Sequence, residues 1–190
     1  LNSFRSLGAV PVGVPMDADG INVEAFEEAA VRTGARLAYL IPTFQNPSGI
    51  TMSAEKRRAV YEIACRRSII IIEDNPYGEL RFAGSGVDTI KSIDREGAVI
   101  YCSSFSKILA PGIRIGFVQA PIAVISKMVV AKQVEDVHTP MLTQMLAYAF
   151  MQSGTMDEHI RSAAELYGRK CALMLSRLDR CMPEQVSYTR

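Results

Sequence analysis

Apolar residues follow two rhythms along the chain. Dense runs of β-branched and bulky residues appear at Leu37-Ala38-Tyr39-Leu40-Ile41, at Ile69-Ile70-Ile71-Ile72-Glu73 and at Ala98-Val99-Ile100-Tyr101-Cys102, with a shorter one from Gly116 to Ala120. Runs of this length, bounded by polar and turn-forming residues, predict strands. The four-isoleucine run is apolar without alternation, as expected of a strand whose two faces are both covered by helices. The other rhythm has the helical period. Asn22 is a candidate N-cap for a helix over about Val23 to Arg32 that ends near Gly34. Ser53 is the candidate cap of a helix across Ala54 to Arg67, with Glu55 in its first turn and Arg66 and Arg67 in its last, both favourable to the helix dipole.

Strand, helix and strand alternate often enough to predict an α/β fold, a mostly parallel sheet flanked by helices. Pro11-Val12-Gly13-Val14-Pro15 reads as an edge strand, because proline cannot donate to an interior ladder. Past the last apolar run the pattern is helical: Pro121 to about Val134, Pro140 to Met151, and a long helix to about Asp179 opened by Thr155-Met156-Asp157-Glu158 as a capping box. In that helix Ile160, Ala163, Ala164, Tyr167, Cys171, Met174, Leu175 and Leu178 fall on one stripe, which predicts a packing face. Residues 185–190 read as the beginning of a further strand. With no methionine at Leu1, the expectation is a fragment of a longer protein.

Composition narrows the function classes. Of 190 residues, 48% are hydrophobic, and 21 basic against 20 acidic side chains leave a formal net charge of +1. That balance offers no electrostatic reason for nucleic-acid or membrane-surface binding by this segment. Cys65, Cys102, Cys171 and Cys181 form no C-x-x-C pair and have no histidine at metal spacing, so reduced thiols are expected, without zinc or disulfides. No apolar run approaches the roughly 18 to 20 residues that span a bilayer, and no signal pattern opens the chain, so a cytoplasmic location is expected. Neither a G-x-G-x-x-G after a strand nor a P-loop occurs, which disfavours those nucleotide sites. His138 and His159 lie among helical residues without a catalytic partner and are read as structural.

The chemistry concentrates where strands end. Asn46-Pro47-Ser48-Gly49 follows the first strand, Asp74-Asn75-Pro76-Tyr77 the second, and Ser104-Phe105-Ser106-Lys107 the third, with Arg114-Ile115-Gly116 close behind. Ligands of open α/β sheets bind outside the carboxyl ends of the strands, so these groups are expected to converge on one ligand. A lysine delivered there by a buried strand is expected to lose hydration, which makes its neutral amine accessible for a Schiff base with a carbonyl. The hydroxyls and the guanidinium beside it suit a phosphate.

These four motifs, in this order and at these separations, resemble the fold-type I pyridoxal-phosphate enzymes, and among them the class I/II aminotransferases. The likeness is greatest to the branch with 2-aminoadipate aminotransferases and the aminotransferase-like domains of MocR-type regulators. The resemblance covers most of the chain. It implies a truncated transferase-like large domain at residues 1–155, with residues 156–190 as a connecting helix and the start of a small C-terminal domain. It implies pyridoxal 5′-phosphate as cofactor, with Lys107 as its covalent anchor and as the acid/base of proton transfer. Asp74 would pair with the pyridine nitrogen, and Asn46 and Tyr77 with the phenolate oxygen. Ser104, Ser106 and Arg114 would hold the phosphate.

The implied reaction is transfer of an amino group between an amino acid and a 2-oxo acid. Elimination or decarboxylation on the same fold, or a ligand-sensing role in a transcription regulator, remain open alternatives. Family members are usually homodimers, which is the expectation for the parent protein. The family's ring-stacking aromatic, the rest of its phosphate loop and its substrate-carboxylate arginine find no match here. This segment alone is therefore expected to bind cofactor weakly and to turn over nothing. Phe44, Gln45 and Asn75 receive no role from the sequence.

Overall fold

The computed structural model describes residues 2–189. The predicted strands assemble into one four-stranded sheet in chain order: β3 (Leu37–Leu40), β4 (Ile70–Asp74), β5 (Val99–Ser104) and β6 (Gly116–Gln119). β3, β4 and β5 are parallel, with Leu40 opposite Glu73 and Asp74 opposite Cys102, whereas β6 returns antiparallel to β5. Two short strands, β1 (Met16–Asp17) and β2 (Gly20–Ile21), form a separate antiparallel ladder.

Behind the short α1 (Asn2–Ser6), two helices match their sequence signals closely. α2 (Val23–Thr33) is capped by the Asn22 side chain, which accepts from the Ala25 N–H at 2.9 Å, and it ends at Gly34 in the left-handed conformation. α3 (Ala54–Arg67) begins behind Ser53, whose side chain accepts from the Lys56 N–H. Together with the short α4 (Ile90–Ile93), they cover one face of the sheet. Phe26 and Ala30 of α2, Val60, Ile63 and Ala64 of α3 and Ile90 of α4 pack there with Ala38, Leu40, Ile71 and Val99. Full burial of a Val, Ile or Phe side chain contributes about 1.5–3 kcal/mol, so this layer is the main source of stability for the strand ends.

Two charged side chains penetrate that core. The Glu73 carboxylate accepts from the Ile90 and Lys91 N–H groups at 2.9 and 2.7 Å, supplying the first turn of α4 with acceptors. Burial pushes its carboxyl up from the ordinary range, against the opposing pull of those two N–H groups, Arg57 and Lys91. Arg57 is 2 % exposed; it donates to the carbonyls of Met52, Pro42 and Asp88 and to the Thr43 hydroxyl.

The start of β5 is fixed by Asp94, whose side chain is 2 % exposed. Its carboxylate accepts from Ala98 and Val99 N–H and from the Lys91 ammonium at 2.9 Å. Burial alone would raise the Asp94 pKa, but Lys91 and the two N–H groups outweigh it and hold the carboxyl below the ordinary range. A depressed carboxylate stabilises the fold above its unfolded-state pKa and loses that contribution as pH falls through its folded pKa. Asp94→Asn is accordingly expected to cost about 2–3 kcal/mol at neutral pH in urea denaturation, with the gap to the parent narrowing below about pH 4. A gap that stays constant down to acid pH would contradict this.

Several expectations change. Residues 11–15 are not a strand, because Pro11 and Pro15 have no N–H to donate; the ladder forms after them, and the Asn22 N–H bonds back to the Pro15 carbonyl. The strand faces are not equally covered. Ala38, Leu40, Ile71 and Glu73 are buried, while their alternate neighbours are half-buried or exposed, so the second face of β3 and β4 is open among the described residues. The capping box at Thr155 does not form: its hydroxyl bonds the Ser153 hydroxyl, and no side chain caps α7 (Met156–Cys181). Residues 186–189 are irregular, and Arg190 lies outside the described residues.

α5 (Ile122–Glu135) and α6 (Met141–Gln152) occupy the predicted segments, but only Ala147 is buried on them. On α7, Ala164 is buried, whereas Tyr167 and Met174 of the expected stripe are exposed. That helix packs across the 3₁₀ turn Gly78–Leu80, and Gly168 lies against the Phe82 ring. None of the described helices is long and apolar enough to cross a membrane.

Candidate functional site

The parallel register brings the carboxyl ends of β3, β4 and β5 to one edge of the sheet, and the polar motifs follow directly from those ends. After β3, Pro42 and Thr43 are buried, and both are gripped by Arg57. Phe44 adopts a left-handed conformation (φ 52°), with its N–H donating to Thr51 Oγ1 and its ring 4.6 Å under the Arg81 guanidinium. Gln45 closes the following turn by accepting from the Ser48 N–H and hydroxyl at 2.9 and 2.6 Å. Phe44 and Gln45, which had no role in the sequence reading, thus shape the loop that presents Asn46. From there the Asn46 amide donates to the Tyr77 hydroxyl at 3.4 Å.

Tyr77 follows β4, and the Lys107 ammonium lies 5.8 Å from its ring centroid. Asn46, Tyr77 and Lys107 are therefore consecutive neighbours supplied by three different strand ends. The turn that carries Lys107 is held by backbone bonds from Phe105 N–H to Ile115 O and from Leu109 and Ala110 N–H to Phe105 O. Phe105 and Ile108 take its buried positions, each 8 % exposed, which leaves Lys107 itself exposed. The desolvation expected of this lysine is thus not provided by the described residues. The turn aims it past the sheet edge rather than into the core.

The same turn assembles a group of donors. Ser104 Oγ accepts from the Ser106 N–H at 2.9 Å, and Arg114 donates to Ser106 Oγ at 3.3 Å and to the Pro111 carbonyl at 3.0 Å. Arg114 is left-handed (φ 53°), a conformation that costs about 1–2 kcal/mol in a residue with a Cβ. No carboxylate salt-bridges Arg114 or Lys107 among the described residues. Two cations without acidic partners, beside two serine hydroxyls, have the donor chemistry of a phosphate site next to a reactive amine.

Asp74 ends β4 opposite Cys102, two residues before Ser104. Its Oδ2 accepts from the Tyr39 hydroxyl at 2.5 Å, a contact that the sequence reading missed. Burial pushes up the Cys102 thiol, and the nearby Asp74 adds to that rise. Asn75, next in line, is buried; its amide donates to the Tyr101 hydroxyl at 3.0 Å, and its backbone carbonyl accepts from Ser103 Oγ. A Cβ on Gly78 would stand 2.6 Å from the Asn75 amide nitrogen, so only glycine lets the turn bearing Tyr77 close over it. His159 packs edge-on against Phe150, and His138 bonds a local carbonyl, so neither joins the site.

The family model for aminotransferase class I and II matches residues 2–180. Aromatic-amino-acid aminotransferase 1 of Thermococcus litoralis is 40% identical over 195 residues, covering 100% of this chain and 47% of the relative. The crystal structure of LysN, the α-aminoadipate aminotransferase of Thermus thermophilus complexed with N-(5′-phosphopyridoxyl)-L-leucine, superposes with a TM-score of 0.94 at 37% identity. That match covers 99% of this chain and 49% of that one. The uncharacterized HTH-type transcriptional regulator YjiR of Escherichia coli is 36% identical, covering 100% of this chain and 40% of the relative. The chain spans about half the length, or less, of these relatives.

Proposed function

The chain belongs to the class I and II aminotransferase family, and from that premise we propose that the whole protein transfers an amino group between an amino acid and a 2-oxo acid using pyridoxal 5′-phosphate. The observation that carries the proposal is the meeting of Asn46, Tyr77 and Lys107 at the sheet edge that also holds Ser104, Ser106 and Arg114. When bound, the cofactor supplies an aldehyde that condenses with amines and a ring that withdraws electrons from the substrate's α-carbon.

The chain's own residues do the rest. Lys107 Nζ would hold the cofactor covalently and would take up and return the proton at the substrate's α-carbon. Asp74 would keep the ring nitrogen protonated, which would sustain electron withdrawal. Asn46 and Tyr77 would donate to the phenolate oxygen and favour its ionised form. Ser104, Ser106 and Arg114 would hold the phosphate and so orient the ring toward Lys107.

We extend the proposal to residence in the cytoplasm, to a homodimeric parent, and to a boundary near residue 155 between the cofactor-binding domain and a helix leading into a smaller one. Weak cofactor binding by residues 1–190 alone belongs to it as well, because they offer no match for the rest of the family's phosphate loop or for its small domain. The full-length protein mixed with candidate amino acids and 2-oxoglutarate is expected to yield glutamate and the matching 2-oxo acid. Pyruvate and ammonia without a new amino acid would overturn transamination in favour of elimination.

A second reading is supported by the 36% identity with a transcriptional regulator across the whole chain. In it the same residues bind the cofactor to detect an amino compound. Ligand-dependent retardation of a DNA fragment by the full-length protein, without amino transfer, would favour it.

A further inference from the structure

Resting on the cofactor reading above, we propose that Tyr39 is a positioning residue for Asp74, its phenol gripping one carboxylate oxygen so that the other faces the ring nitrogen of the cofactor. Tyr39 stands opposite Ile72 in the β3–β4 register, and Asp74 lies two residues further along β4. Side chains two apart on a strand share a face, so Tyr39 reaches Asp74 along the open face of the sheet. The hydroxyl donates to Oδ2 at 2.5 Å, while Oδ1 has no hydrogen-bond partner among the described residues. Charge-assisted O–H···O⁻ bonds of about 2.5–2.7 Å are roughly twice as strong as neutral ones, enough to fix one rotamer of a short carboxylate.

The tyrosine is itself held in place. Its ring packs 6.1 Å from that of Phe4, tilted by 58°. Burial first, and the hydrogen bond to Asp74 second, push its phenol well above the ordinary range, so it remains a donor throughout the neutral region. Asp74 is thereby clamped from the open face while the Asn75 N–H, bonded to the Cys102 carbonyl, pins the backbone behind it.

The test uses the full-length protein loaded with cofactor isotopically labelled at the ring nitrogen. Tyr39→Phe keeps the ring packed on Phe4 and removes only the donor. It is expected to move the ring-nitrogen resonance and to weaken cofactor binding about tenfold, in line with one lost hydrogen bond to a charged group. It should lower kcat by a similar factor with the amino donor's KM within about twofold, and leave apoprotein melting unchanged. In an Asp74→Ala background the same change should add nothing to the loss of affinity.

Full additivity of the two substitutions would overturn the inference. So would an Asp74→Ala shift of the resonance that Tyr39→Phe fails to share. If Asp74→Ala also leaves the resonance in place, Asp74 does not face the ring nitrogen, and the cofactor assignment fails together with this one.

Discussion

Lys107→Ala in the full-length protein supplied with cofactor is expected to lose the visible Schiff-base absorbance and at least about 10⁴-fold in amino-transfer rate. Two functions disappear with one amine: the covalent anchor, and the group that moves the proton at the α-carbon. The substitution should leave the fold intact, because Phe105 and Ile108 carry the buried positions of the turn and Lys107 is exposed. Exposed substitutions away from packing features usually shift stability within about 0.5 kcal/mol. Phosphate affinity should persist through Ser104, Ser106 and Arg114, so cofactor remains weakly and reversibly bound. An absorbance spectrum paired with a melting curve checks both halves; a visible band that survives the substitution would refute the role of Lys107.

The largest expected effect on stability lies in the core, at Arg57→Met. Methionine fills much of the volume but strips partners from the Pro42, Met52 and Asp88 carbonyls and from the Thr43 hydroxyl. Each buried group left unsatisfied costs about 1–3 kcal/mol, offset by removal of a cation whose own pKa burial depresses. The net expectation is a loss of about 3–5 kcal/mol, read as a fall in the urea midpoint. Cofactor affinity should fall as well, because Pro42 and Met52 bracket the loop that presents Asn46. Arg57→Lys should recover only part, since one ammonium cannot span four acceptors aimed from different directions. A variant within 1 kcal/mol of the parent would show that the loop is held by something else.

Local signals were legible where local chemistry decides. Asn22 and Ser53 cap helices whose bounds the sequence predicts to within a residue, and the dense apolar runs all appear as strands. The motifs that bear Asn46, Asp74, Ser104, Lys107 and Arg114 stand at one sheet edge, as expected of the carboxyl ends of parallel strands. What could not be read depends on backbone geometry that residue type leaves open. At Thr155 the backbone is already helical (φ −96°, ψ −4°) rather than extended as a capping residue requires, and its hydroxyl bonds Ser153. At residues 11–15 two prolines defeat a ladder that the apolar pattern alone would allow.

Arg57 and Tyr39 illustrate signals that were present but quiet. Arg57 precedes Val60 by three residues and Ala64 by seven, so helical periodicity already places it on the buried stripe of α3. A charge on such a stripe is a request for several acceptors, and the acceptors come from loops 5 to 31 residues away. Tyr39 alternates with buried Ala38 and Leu40, which puts it on the other face of the strand with Asp74. Lys107 is exposed among the described residues because the burial of β5 does not extend to the turn beyond it.

The antiparallel return of β6 alongside β5, with Ser104 opposite Gly116, makes residues 105–115 the tip of a single hairpin. The amine and the anion grip therefore travel as one cassette, their spacing set by a few short backbone bonds and indifferent to how the rest of the molecule docks. Rocking of neighbouring helices would carry both together, and Asp74, laddered to Cys102 in the same sheet, would move with them, leaving only the distance to Asn46 on its loop open to adjustment.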